Sequence, residues 1–301
     1  MSQQHPLARL GWRAELQNHI DDPSLIPARV TAVDRGSVLV DAGDGPWRAP
    51  LAGRLHRGRA MPATGDFVAA LPDGPVRAVL PRRGVIARRE EGGRAQVLAA
   101  NVDLALLATS PNRDLNPRRL ARFLAITARG EVEAVVLLTK ADLVADPDGV
   151  AAELEAGLDG TRVVPVSAVD GRGLDALREL LEPRRTAVML GTSGVGKSTL
   201  LNVLLGEQRQ ATKAIRAGDD RGRHTTVRRE LVPLPGGALL VDTPGLRLVA
   251  PLEDADEEVP MLDKEQLKRE RRARQREFHR GVYREMRERK RSREARDNRW
   301  G

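Results

Sequence analysis

A nine-residue run, G-T-S-G-V-G-K-S-T at positions 191–199, restricts this chain more than any other feature. It fits the pattern G-x-x-x-x-G-K-[ST] at every fixed position, with Gly191, Gly196, Lys197 and Ser198 in the specified places and Thr192, Ser193, Gly194, Val195 and Thr199 completing the loop. The residues before it, A-V-M-L at 187–190, read as a buried strand, and L-L-N-V-L-L at 200–205 reads as a helix. That context is what the motif requires. The glycines let backbone N–H groups converge on an anion, and the helix N-terminus adds its dipole. Lys197 is expected to reach β- and γ-phosphates and the Ser198 hydroxyl to ligate Mg²⁺. The run therefore predicts a nucleotide phosphate site on an α/β sheet.

The base is specified by residues that lie earlier in the chain. An apolar strand, V-V-L-L at 135–138, ends in Thr139, Lys140, Ala141 and Asp142. This fits the [NT]-K-x-D element of guanine-reading GTPases. An aspartate accepts from the guanine ring N1–H and its amino group, donors that adenine lacks at that edge. A second strand at 161–166 runs into Ser167 and Ala168, the small pair expected to contact the guanine oxygen. Downstream, L-L-V at 239–241 leads into Asp242-Thr-Pro-Gly245, a D-x-x-G element. There Asp242 is expected to hold Mg²⁺ through water, and the Gly245 N–H to sense the γ-phosphate.

The order of these motifs is unusual. The base-reading element comes first and the phosphate loop after it, the reverse of an ordinary GTPase, so the chain looks circularly permuted. Surface-exposed, neighbouring termini make such re-entry of a sheet physically possible. Together with Q-V-L-A-A-N-V-D at 96–103, G-R-H-T-T at 222–226 and L-G-W at 10–12, these motifs resemble the ribosome small-subunit-dependent GTPase A family (RsgA/YjeQ), over roughly residues 7 to 250. The resemblance implies an N-terminal OB-fold, a central GTPase domain, and GTP hydrolysis stimulated by the small ribosomal subunit late in its maturation. The family also implies a zinc module with three cysteines and a histidine. This chain has no cysteine, so zinc is not expected, and the module is expected to be missing.

The fold class expected is an α/β P-loop GTPase domain, circularly permuted, preceded by a small all-β barrel and followed by a basic helical tail. The boundaries expected are 1–95, 96–250 and 251–301. In the first part, segments 28–33, 37–41, 47–51, 66–71 and 76–80 read as short strands separated by Gly- and Pro-bearing turns, a spacing that fits a five-stranded OB-class barrel. Its aromatic residues are only Trp12, Trp47 and Phe67. Contact with RNA phosphates through Arg54, Arg57 and Arg59 is then expected rather than base stacking. The alternative is a barrel that serves as spacer or protein contact. In the second part, a strand at 103–108, a helix at 117–129, a strand at 134–138 and helices at 150–158 and 173–181 alternate as a doubly wound sheet should. The polar stretch 216–226 suits switch I.

Hydrolysis needs a group that positions the attacking water, a glutamine just after D-x-x-G in many GTPases. That position is Leu246, which can do neither. His224 is the candidate instead, because an imidazole can orient water or take a proton near neutral pH. The family resemblance implies the same role. The alternative is an ordinary loop histidine. Thr225 or Thr226 supplies the switch I hydroxyl to Mg²⁺, and the family pattern leans to Thr226.

Charge points to the partner. The chain carries a formal +8, yet residues 264–301 hold 16 Lys/Arg against 7 Asp/Glu. The remainder has 34 against 35, so the whole excess lies in the tail. Glu265–Arg269, Glu270–Arg274 and Glu285–Arg289 are i,i+4 pairs in the helix-favouring order. A helical polycationic tail predicts contact with ribosomal RNA and steep salt dependence; a solvated helix without partner is the alternative. There is no signal-type leader and no run of eighteen apolar residues, so a cytoplasmic monomer that binds GTP or GDP, and no membrane, is expected. Two further functions stay open at this point: a nucleotide-gated RNA binder with negligible hydrolysis, or another P-loop nucleotidase.

Overall fold

Residues 96–250 were expected to alternate strand and helix, and the computed structural model, which describes residues 5–34, 36–55, 61–89, 95–111, 115–206 and 229–242, carries that alternation. Five parallel strands form its centre: β8 (Leu104–Thr109), β9 (Glu133–Leu138), β10 (Val163–Pro165), β11 (Thr186–Leu190) and β13 (Leu239–Asp242), in the order β10-β9-β8-β11-β13. Both faces of these strands are buried, which is why they read as unbroken apolar runs. Along β8, Leu104 and Leu106 face one layer while Ala105 and Leu107 face the other. Helices α1 (Pro117–Arg129) and α2 (Pro147–Gly157) cover the second face through Leu120, Phe123, Val150 and Leu154. Helices α3 (Leu174–Leu180) and α4 (Lys197–Leu205) cover the first through Leu174, Leu177, Leu200 and Leu201. Local chemistry sets the helix starts. Asn116 caps α1 by accepting from Arg119 N at 3.1 Å, Asp146 caps α2 by accepting from Gly149 N at 2.9 Å, and each is followed at once by proline.

The five N-terminal segments form β1 (Ile26–Val33), β2 (Ser37–Asp41), β3 (Pro46–Pro50), β4 (Phe67–Ala70) and β5 (Val76–Val79). They pair antiparallel in the order β3-β2-β1-β4-β5, and an isolated parallel bridge, Leu51 to Val76, joins the two ends. Ala28, Val30, Val38, Val40, Val68 and Val76 form their common core.

Three strands were not anticipated. β6 (Val85–Arg89) and β7 (Ala95–Ala100) make a separate two-stranded hairpin, so the expected boundary at 95/96 falls inside β7. β12 (Glu230–Pro233) pairs antiparallel with β13 and, through Glu230 opposite Ala32, with β1. One eleven-stranded sheet thus runs from the parallel core into the barrel.

A buried cation sits where these parts meet. The Arg29 guanidinium, 1% exposed, donates to Leu10 O at 2.5 Å, Gly65 O at 3.1 Å, Asn101 O at 3.2 Å and Thr186 Oγ1 at 3.0 Å, and lies 4.5 Å from the Phe67 ring centre. Burial pulls its pKa down to about 10, and the charges of Asp103 and Asp66 work against that fall. Close backbone approach finishes the junction. Gly84 (φ +56°) leaves no space for a side chain, since a Cβ there would lie 1.8 Å from Val102 O.

Candidate nucleotide site

The phosphate-loop, base-reading, small-residue and Asp242 elements each lie at the carboxyl end of a parallel strand, where open α/β sheets bind ligands. β11 delivers the phosphate loop. Its backbone turns at Gly191, where a Cβ would come 2.7 Å from Ala108 O, and Gly196 caps α4, which starts at Lys197. Val195 is buried, while Ser193, Gly194, Ser198 and Thr199 are exposed at the mouth. The Lys197 ammonium donates to Gly191 O at 2.7 Å and Thr192 O at 2.6 Å, so it lies back across its own loop. Its charge is thereby held over the cradle in which phosphates would sit.

The base-reading element is stapled to this loop. Thr139, 1% exposed, directs its hydroxyl at Val195 O (2.5 Å) and Thr109 O (2.8 Å). Lys140 adopts φ +55°, and its ammonium donates to Gly194 O at 2.7 Å. A short 3-10 turn, Ala141–Leu143, then presents Asp142. The Ser167 hydroxyl, fully buried, donates to Asp142 Oδ1 at 2.7 Å and accepts from Val169 N at 3.1 Å. Ser167 thereby orients one carboxylate oxygen of Asp142. Ala168 packs half-buried against the apolar layer beneath. The next acid, Asp170, has a lowered pKa, chiefly because Arg172 N donates to it and also through Ser167.

Asp242 ends β13, one strand over from the loop, with Val241 in register with Val188 of β11. Ser198 and Asp242 offer a hydroxyl and a carboxylate oxygen, the hard donors that Mg²⁺ takes. Among the described residues no cluster of three or more His, Cys, Asp or Glu side chains could hold a metal by itself. His224, Thr225, Thr226 and Gly245, with the rest of switch I and the basic tail, lie outside the described residues, as do Arg57 and Arg59. One participant escaped the sequence reading. The carbonyl of Thr109, last residue of β8, takes both the Thr139 N–H (2.8 Å) and its hydroxyl. The signal available was the switch from apolar residues to Thr-Ser-Pro at 109–111.

A family model described as RsgA GTPase matches residues 79–250. The small ribosomal subunit biogenesis GTPase RsgA of Syntrophotalea carbinolica is 41% identical over 260 residues, covering 80% of this chain and 71% of that protein. The protein of the same name from Streptomyces coelicolor is 47% identical over 232 residues, covering 74% and 63%. Among solved structures, YjeQ from Thermotoga maritima aligns with a TM-score of 0.55 at 26% identity, over 73% of this chain and 75% of that one. YloQ, described as a circularly permuted GTPase, aligns with a TM-score of 0.51 at 20% identity over 76% and 75%, which is a likeness of fold.

Proposed function

The chain belongs to the RsgA GTPase family, and from that premise we propose that it binds and hydrolyses GTP during late maturation of the small ribosomal subunit. The observation that carries the reading is the staple between base-reading and phosphate-binding elements: Thr139 and Lys140 bonded to Val195 and Gly194, with Ser167 holding Asp142. Two elements read opposite ends of one nucleotide, and two short hydrogen bonds fix their spacing, while a third sets the Asp142 carboxylate.

In this reading Asp142 accepts from the guanine edge, the loop amides at 194–197 and Lys197 take the phosphates, and Lys197 exchanges its two loop carbonyls for phosphate oxygens. Ser198, Thr226 and Asp242 would hold Mg²⁺, which would neutralise charge on the phosphates. His224 orients the attacking water, since Leu246 cannot. The strand order β3-β2-β1-β4-β5 with its parallel closing bridge supports the OB class for residues 1–95. The GTPase domain is 96–250 and the acidic linker with basic tail 251–301. Barrel and tail contact ribosomal RNA, and the protein acts as a cytoplasmic monomer. No described helix is long and apolar enough to cross a membrane.

The test is GTP hydrolysis titrated with purified small subunits and, separately, large ones. Stimulation by the small subunit alone supports the reading; equal turnover of ATP, or no stimulation, refutes it. Asp142→Asn should move preference from guanine to xanthine nucleotides.

A further inference from the structure

Helix α1 has the sequence P-R-R-L-A-R-F-L-A-I-T-A-R, with four arginines and no acid. Its buried residues, Leu120, Phe123 and Thr127, define one face. At 100° per residue, Arg118, Arg122 and Arg129 fall within about 40° of arc on the opposite side, with Ala125 between them. Arg118, Arg122, Ala125 and Arg129 are exposed, whereas Arg119 is half-buried. Along the axis the arginines stand about 6 and 10 Å apart, at a rise of about 1.5 Å per residue.

Arg129, in the last turn, suits the helix dipole, but Arg118 and Arg122 do not serve the helix. Arg118 stands in the first turn, where the dipole favours anions and disfavours a cation by about 0.3–1 kcal/mol. Arg118 and Arg122 form an i,i+4 pair of like charge, which also destabilises. None of the three stripe arginines forms an ion pair among the described residues, whereas Arg82, Arg172, Arg178 and Arg185 each do, with Asp66, Asp148, Asp175 and Glu133. The nearest carboxylates in the chain, Asp114 and Glu131, lie beyond the two ends of α1. A line of guanidinium groups that make no ion pair among the described residues, carried on a rigid rod, is complementary to a run of phosphates on one strand.

We propose that the outer face of α1 is a docking surface for the phosphodiester backbone of small-subunit ribosomal RNA, read through Arg118, Arg122 and Arg129. The inference rests on the small-subunit reading above and adds to it a contact on the GTPase domain, apart from the barrel and tail. Binding here places this helical face of the sheet directly against the subunit.

The experiment compares the full chain with the triple variant Arg118→Gln, Arg122→Gln, Arg129→Gln and with a control triple, Arg162→Gln, Arg172→Gln, Arg178→Gln, which removes equal charge elsewhere. Affinity for intact small subunits, and for the protein-free RNA extracted from them, is measured between about 50 and 200 mM KCl, with GDP affinity as the check on folding. Each phosphate contact contributes roughly 0.7–0.9 to the slope of log affinity against log salt. The stripe variant should therefore lose about two to three from that slope, with binding at low salt weakened at least about tenfold and GDP affinity unchanged. Arg122→Gln alone should lose about one. An unchanged slope, or an equal loss in the control triple, overturns the proposal. A loss seen with intact subunits but absent with free RNA assigns the stripe to a protein partner and overturns it too. Failure of the unaltered chain to bind small subunits would sink the parent reading, and the stripe with it, whereas the preceding outcomes sink the stripe alone.

Discussion

Replacing Thr139 by valine removes one oxygen and keeps the shape, and the structure sets how large the consequence should be. The lost hydroxyl contacts Thr109 O at 2.8 Å and Val195 O at 2.5 Å. Thr109 O keeps the Thr139 N–H, also at 2.8 Å, so it remains satisfied. Val195 O loses this donor in a place where Val195 and Thr139 are both buried. A neutral hydrogen bond contributes about 0.5–1.5 kcal/mol, and a buried acceptor left without a donor costs about 1–3 kcal/mol. A destabilisation of about 1–3 kcal/mol follows, or a fall in Tm of about 2–12 °C at the roughly 2–4 °C per kcal/mol of a domain this size. Because Val195 belongs to the phosphate loop, part of that loss should appear in nucleotide binding: a fraction of about 1.4 kcal/mol weakens GDP tenfold. Thermal melts and fluorescent GDP titration on the same preparation separate the two. If Tm falls while GDP affinity stays within about twofold, the staple is a core contact only and does not set the spacing of the site.

Ser167→Ala removes a charge-assisted bond to Asp142, and guanine-nucleotide affinity should fall about tenfold while ATP binding is unaffected, as isothermal titration would register. Gly84→Ala must separate the chain from Val102 O and should destabilise by more than about 3 kcal/mol in urea unfolding; a loss under about 1 kcal/mol would mean that the contact relaxes freely. Arg29→Met strips four acceptors of a buried cation and should cost about 3–5 kcal/mol. That cost should be flat from about pH 6 to 9, because Arg29 keeps its proton in both folded and unfolded chains below about 10; above that pH the folded chain releases the proton first, and the group's burial penalty declines. A cost that changes by more than about 1 kcal/mol within the neutral range would refute the assignment of charge.

How much of this was legible in the chain depends on how far each feature reaches along it. The phosphate loop, T-K-A-D and S-A are runs of a few residues whose chemistry is local, and the structure brings them to the same end of the sheet, on β11, β9 and β10, with β8 between the first two. Helix α1 ran as expected from 117 to 129, because cap, proline and apolar spacing are all contained in those residues. Helix α2 started three residues earlier than expected, at Pro147, since its Asp146 cap lies outside the apolar pattern. What the sequence by itself determined is therefore the nucleotide chemistry and the permuted order of its parts. What only the tertiary structure decided is how those parts are joined. The pairing of β12 with β1, Ala32 opposite Glu230, rests on partners distant in the chain, whereas hairpin β6–β7 is local. Arg29 alternates in β1 like any solvent-facing residue, and only the arrival of Leu10, Gly65, Asn101 and Thr186 buries it. Backbone ladders and buried acceptors carry no mark in the side-chain code until another segment supplies the second half of each bond.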